Sequence, residues 1–341
     1  MIKRTVEISG QGNRLSVSLG SLIIQRDGEV VARIPLEDLG VLILDAADTV
    51  YTHWVLAEAL AAGAVVVPCG RDHLPCGLFL PQDNSLMTQR LAAQVAAPLP
   101  LKKRLWKQIV QAKVRHQAAV LPQDSPARGR IANLVTQVRS GDPSNVEAQA
   151  ARIYWQALFG PGAPGFRRNP DAEDGPNTLL NYGYAVLRAA VARAIAGAGL
   201  HPSFGLHHHN RSNPFALADD LLEPLRPIVD RKAKALLEFG QANITPNTKR
   251  ELLGLLTQEV EVAGLKGPLL VALERTVASL VRCYAGEQAK LDLPAPLRGG
   301  SPPVRGGSPP VRGGSPPVRG GSPHPPRQKE QTNPDLPAPC N

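Results

Sequence analysis

Asp220 and Glu223 stand three residues apart, and His208 stands twelve residues before the first of them. On a helix that spacing puts both carboxylates on one face, and the intervening loop lets the imidazole converge on it. Two carboxylates with one imidazole suit a hard-to-borderline divalent cation such as Mg2+ or Mn2+. Held about 4 Å apart they repel by roughly 4 kcal/mol at an effective dielectric of about 20, so a metal, solvent or Arg226, one turn beyond Glu223, must compensate. A structural reading competes at each position. Acids in the first turn of a helix complement its dipole, which accounts for Asp219 and Asp220, and His207-His208-His209 reads as a solvated loop. Glu147 is divided in the same way: Ser144-x-x-Glu147 spells a capping box, in which the glutamate bonds the cap residue's backbone. Spacing alone leaves these alternatives open.

Other chemistries find less support. Cys69, His73 and Cys76 lack zinc-site spacing and a fourth ligand, so thiols buried near a strand end are the expectation. Gly10-x-Gly12 does not continue into a dinucleotide fingerprint, no Walker sequence is present, and no nucleophile elbow supports a serine hydrolase. Lys102, Lys103, Arg104, Lys107, Lys113 and Arg115 form either a phosphate-binding stripe or a solvated basic helix face.

The elements that must position these groups fall into two sets. Up to about residue 82, Val6 and Ile8, then Leu15, Val17 and Leu19, alternate with polar neighbours as half-buried strands do. Asp27-Gly28 between apolar runs predicts a hairpin. Val41–Leu44 and Val65–Val67 read as fully buried strands, with a helix over His53–Ala62 between them. From about Leu86 the period becomes 3.6. Helices are expected over Leu101–Leu121, Ser144–Phe159, Thr178–Ala198, Ala216–Leu225, Arg231–Glu238, Thr248–Val262 and Pro268–Ala285. The fold class is therefore α+β: a small N-terminal β-rich domain (1–82), a larger all-α catalytic domain (83–290) and a disordered C-terminal tail (291–341). In that tail Arg-Gly-Gly-Ser-Pro-Pro-Val starts at Arg298, Arg305 and Arg312, with a degraded copy at Arg319, and its prolines and glycines forbid a helix.

Composition narrows the partners. The 341 residues carry 38 Lys+Arg against 29 Asp+Glu, a formal charge of +9 that admits a polyanion. No run of about 18 apolar residues could cross a membrane, and Met1-Ile-Lys-Arg-Thr5 leads into strand without a signal-peptide core. Four scattered cysteines suit a reducing, cytoplasmic setting.

Taken together, Asn145-Val-Glu-Ala-Gln-Ala-Ala-Arg-Ile-Tyr-Trp155, Asn181-Tyr-Gly-Tyr-Ala-Val-Leu-Arg188, Gly205-Leu-His-His208 and Ala218-Asp-Asp-Leu-Leu-Glu-Pro-Leu-Arg-Pro-Ile-Val-Asp230 closely resemble the CRISPR-associated adaptation integrases, the Cas1 family, in its type II form. Order and spacing agree over roughly residues 1–290. The resemblance implies that Glu147, His208 and Glu223 hold a catalytic Mg2+ or Mn2+, that Asp220 is a supporting acid beside it, and that Arg226 is placed to contact phosphate. His207 and His209 are not implied. It further implies a metal-dependent DNA endonuclease and integrase, in which a 3′-hydroxyl of a short DNA duplex attacks a phosphodiester of a repeat array. The implied partners are double-stranded DNA, a second copy of the chain, and a small Cas2 protein whose dimer two such homodimers flank as a heterohexamer, with effector proteins of the same system beside them. A metal nuclease that resolves branched DNA without integrating, and an inactive DNA-binding scaffold, are the rival expectations. The tail and Ala216, where related sequences often have asparagine, depart from the family pattern.

Overall fold

The computed structural model describes residues 4–71, 73, 76–82, 86–160, 166, 168–169 and 175–296. The first part is strand-rich: β1 (Arg4–Ile8), β2 (Asn13–Ser18), β3 (Ser21–Arg26), β4 (Glu29–Pro35), β5 (Leu39–Leu44), β6 (Val50–Tyr51), helix α1 (His53–Ala61) and β7 (Val65–Pro68). They form a four-stranded sheet ordered β4-β3-β2-β6 and a parallel three-stranded sheet ordered β1-β5-β7. The β3–β4 hairpin turns at Asp27 and Gly28 with φ of 51° and 88°, the left-handed pair that this dipeptide supplies. β5 is buried on both faces, and alternation divides it. Leu42 and Leu44 join Leu15, Leu22 and Val55 in a small core, whereas Val41 and Ile43 enter the core of the helices. The continuous apolar run thus ties the sheet to the helical part.

The helical part comprises α2 (Met87–Ala96), α3 (Leu99–Val120), α4 (Pro126–Leu134), α5 (Val146–Leu158), α6 (Gly175–Gly197), α7 (Ala216–Leu222), α8 (Arg226–Glu238), α9 (Pro246–Leu253), a hairpin of β8 (Glu259–Val262) and β9 (Leu265–Pro268), and α10 (Leu269–Tyr284). α6 is apolar nearly all round and runs through the core. At Gly183 a Cβ would stand 2.4 Å from Val229 Cγ1 on α8, so that crossing requires glycine.

Several features differ from the sequence expectation: Leu19, expected in a half-buried strand, lies just past β2 at φ 49° and is exposed, and Cys76, expected buried, is exposed. The helix expected over Thr248–Val262 stops at Leu253, and β8–β9 follows, so this part is not wholly α. Glu259-Val-Glu-Val262 alternates at period two, and Ala263 and Gly264, with φ of 52° and 79°, make its turn. α2 and α4 are additional helices; α4 buries only Ile131, too little apolar periodicity to announce it. Residues 291–296, read from sequence as the start of the tail, pack on the helices. Leu291 is buried, its N–H donates to Gln108 Oε1 at 2.9 Å, and Ala295 N–H donates to Glu261 O at 2.8 Å. The Arg-Gly-Gly-Ser-Pro-Pro-Val repeat lies outside the described residues. Among the described residues no helix is long and apolar enough to cross a membrane, and Cys69, Cys76 and Cys283 are free thiols. His73 pairs with Asp45 at 3.1 Å.

Candidate active site

Glu147 sits in the first turn of α5, and the capping box expected from Ser144 is not what caps it. Asn145, in the left-handed region at φ 49°, is the N-cap and accepts from Ala148 N–H at 3.3 Å. Asp142 accepts from Val146 N–H and Glu147 N–H, each at 3.0 Å. These two side chains satisfy the helix's orphan donors, which leaves the Glu147 carboxylate available. It reaches Lys113 Nζ at 2.5 Å.

Lys113 also bonds Glu223. Sequence grouped this lysine with the basic helix face, yet on α3 it lies in phase with Leu105, Trp106, Ile109 and Val110 and is buried with them. That phase was the signal available in the sequence: a lysine on an apolar stripe needs a carboxylate partner. Glu223 follows α7 in a short 3-10 turn, Glu223–Leu225. Burial would push its carboxyl up, but Lys113 and Arg226 outweigh this and hold it at about 2. Burial likewise works against the Lys113 ammonium, and Glu223 and Glu147 raise it above its ordinary value.

Asp220 and Glu223 do not act as a pair. Asp220 is completely buried and accepts from the backbone N–H of Leu206 at 2.6 Å, His207 at 3.0 Å and His208 at 3.3 Å, and from His208 Nδ1 at 2.6 Å. Gly205 permits this wrap: a Cβ there would meet His208 O at 2.5 Å and Asp220 Oδ2 at 2.9 Å. Gln94 on α2 fastens the start of the loop to His201 and Phe204. Because Nδ1–H donates to Asp220, neutral His208 keeps its lone pair on Nε2. The Asp220 hydrogen bond raises the His208 pKa against the pull of burial, and the charges of Asp220, Glu223 and Glu147 add to the rise. His207 instead stacks on Trp106 at 4.2 Å between ring centroids, and Asp219 pairs with Arg188 at 2.7 Å.

Arg226 supplies part of the compensation that spacing demanded, with Nε 2.9 Å from Glu223 Oε1. Its guanidinium lies over the Tyr184 ring at 4.6 Å. Tyr184 and Tyr154 both donate to buried Asp230, whose carboxyl burial pushes up to about 7 despite those donors. This chain of contacts joins α5, α6 and α8.

The structure therefore brings Glu147 and Glu223 onto one cation, the Lys113 ammonium, and anchors His208 within their field. Among the described residues no three His, Cys, Asp or Glu side chains are grouped to hold an ion as they stand. The donor set nevertheless fits Mg2+ or Mn2+: two carboxylates already share a positive charge, beside an imidazole whose tautomer is fixed by a second carboxylate.

This fold is shared with solved structures. The chain aligns with a casposase bound to integration product (TM-score 0.70, 21% identity, 86% of this chain and 93% of that one). It also aligns with a chain of a Cas6-RT-Cas1–Cas2 complex (TM-score 0.69, 20% identity), covering 84% of this chain and 35% of the longer one. Residues 6–262 match the family described as CRISPR associated protein Cas1. A CRISPR-associated endonuclease Cas1 of Neisseria meningitidis serogroup C (strain 8013) is 39% identical over 289 residues, 83% of this chain and 93% of that protein. The chain belongs to the Cas1 family.

Proposed function

We propose that this protein is a CRISPR adaptation integrase, a metal-dependent DNA endonuclease and transesterase that inserts short duplexes into a repeat array. The observation that carries this reading is the convergence of Glu147 and Glu223 on one buried cation, with an Asp220-anchored His208 that feels the charge of both glutamates. The names of the endonuclease relative and of the casposase support it.

Glu147, Glu223 and His208 would hold a Mg2+ or Mn2+ ion, which when bound supplies charge that eases deprotonation of a 3′-hydroxyl and offsets charge building on the phosphoryl oxygens. The protein's own groups prepare that site. Asp220 keeps the proton of His208 on Nδ1 and the loop Leu206–His208 in place. Arg226, braced by the Tyr184 ring, fixes one Glu223 oxygen and would offer its remaining N–H groups to a DNA phosphate. The incoming 3′-hydroxyl forms the new phosphodiester as the 3′-oxygen of the target strand leaves, so no covalent enzyme intermediate is required. Duplex DNA is held mainly through its backbone. A second copy of the chain and a Cas2 dimer complete the assembly, in line with the Cas1–Cas2 complex among the fold relatives.

The test is strand transfer and the reverse reaction on branched DNA with Mg2+ or Mn2+. Glu147→Gln should abolish both while duplex binding persists. If the wild type cleaves but never joins strands, with or without Cas2, the protein is a nuclease using water in place of the sugar hydroxyl. Unchanged strand transfer by Glu147→Gln would overturn the assignment.

A further inference from the structure

Lys113 lies outside every segment that carried the family resemblance, yet it occupies the centre of the site. Its Nζ sits 2.5 Å from Glu147 Oε1 and also bonds Glu223. The side chain is only 11% exposed, so water does little to screen these pairs. Without this ammonium two carboxylates from different elements would face each other, with Arg226 bonded at the other Glu223 oxygen. A divalent ion held by both glutamates would share their negative charge with Lys113, and two cations crowded at one point repel each other.

We propose that Lys113 is the resident counter-ion of the metal site. It keeps Glu147 and Glu223 together in the metal-free protein and is displaced when the ion enters. Lys113 is thus a positioning residue that weakens metal affinity in exchange for a preformed pair of ligands. This rests on the metal-dependent reading above and adds what that reading lacks, an element that sets how much metal the site requires. A plain structural lysine gives the opposite sign: its loss would loosen the ligands and weaken metal binding.

The experiment is titration of the full-length protein with MnCl2 by calorimetry, with thermal melting of each variant with and without Mn2+. Lys113→Met should bind Mn2+ at least about tenfold more tightly than the wild type and melt lower without metal, the deficit shrinking as Mn2+ is added. Lys113→Arg, which keeps the charge, should restore the weaker affinity. Equal or weaker Mn2+ binding by folded Lys113→Met would overturn the proposal. A second measurement needs no variant: acylation of wild-type Lys113 by an amine-reactive reagent, read by peptide mass spectrometry, should rise on saturation with Mn2+, and unchanged labelling would likewise overturn it. Glu147→Gln separates the two readings. If it binds Mn2+ as the wild type does, the metal-site assignment itself fails. If it loses Mn2+ while Lys113→Met gains nothing, only the counter-ion role fails.

Discussion

At the scale of single residues, the site is governed by how each buried charge is compensated. Asp220 is satisfied by backbone N–H groups and the His208 ring, so it can remain buried without a cation of its own. Glu223 instead depends on Lys113 and Arg226, and this gives stability a defined acid limit. Its carboxyl sits at about 2 in the folded protein against an ordinary 4.5. Folding therefore favours the ionised form; the associated stability is complete above pH 4.5 and is lost as pH falls through the folded value. The difference corresponds to about 3 kcal/mol. Glu223→Gln should lie well below the wild type in urea midpoint near neutrality, and the gap should close in acid. Parallel titrations of the two proteins would show that Glu223 is not held in this way.

Among the elements, α3 and the segment after α10 are coupled more closely than their separation suggests. Residues 291–296 lie against α3 and α10: Asp292 N–H donates to Ser279 Oγ at 2.9 Å, Thr276 Oγ1 donates to Asp292 O at 2.8 Å, and His116 Nε2 reaches Pro294 O at 2.9 Å. His116 is one turn beyond Lys113, so this strap braces the helix that carries the counter-ion. Burying a leucine such as Leu291 contributes about 1.5–3 kcal/mol, and its loss also strips partners from buried polar groups. A chain ending at Lys290 should melt several degrees below one ending at Pro296 and show weaker strand transfer, as measured by calorimetry and the branched-DNA assay. Equal melting temperatures would mean that the strap contributes nothing.

For the whole molecule, charge sets the terms of association. The net +9 includes exposed Lys103, Arg104 and Arg115 on α3, the helix that also delivers Lys113. A backbone-dominated interface releases counter-ions, so duplex affinity should fall about tenfold or more between about 50 and 200 mM salt. Fluorescence anisotropy with unrelated duplex sequences checks this; salt-insensitive binding would contradict a phosphate-based grip. Sheet and helices meet through β5 and through buried Lys249, which bonds Asp45 and lies 3.8 Å from Glu7. The two parts are therefore joined by packing and charge together.

The sequence alone determined what is local. Asp27-Gly28 dictated its hairpin through allowed backbone angles, the apolar run Val41–Leu44 dictated a strand buried on both sides, and 3.6-residue periodicity located most of the helices. Glu147, His208 and Glu223 were singled out by the resemblance of four ordered motifs to the Cas1 family, not by their spacing alone. What the tertiary structure decided is pairing. Lys113 and Glu223 are 110 positions apart, and nothing within either segment says that they touch. The spacing that suggested a shared face for Asp220 and Glu223 was overruled when one carboxylate turned to the loop and the other to α3. A buried charge must find a partner wherever the fold brings one near, and only the folded chain fixes which partner that is.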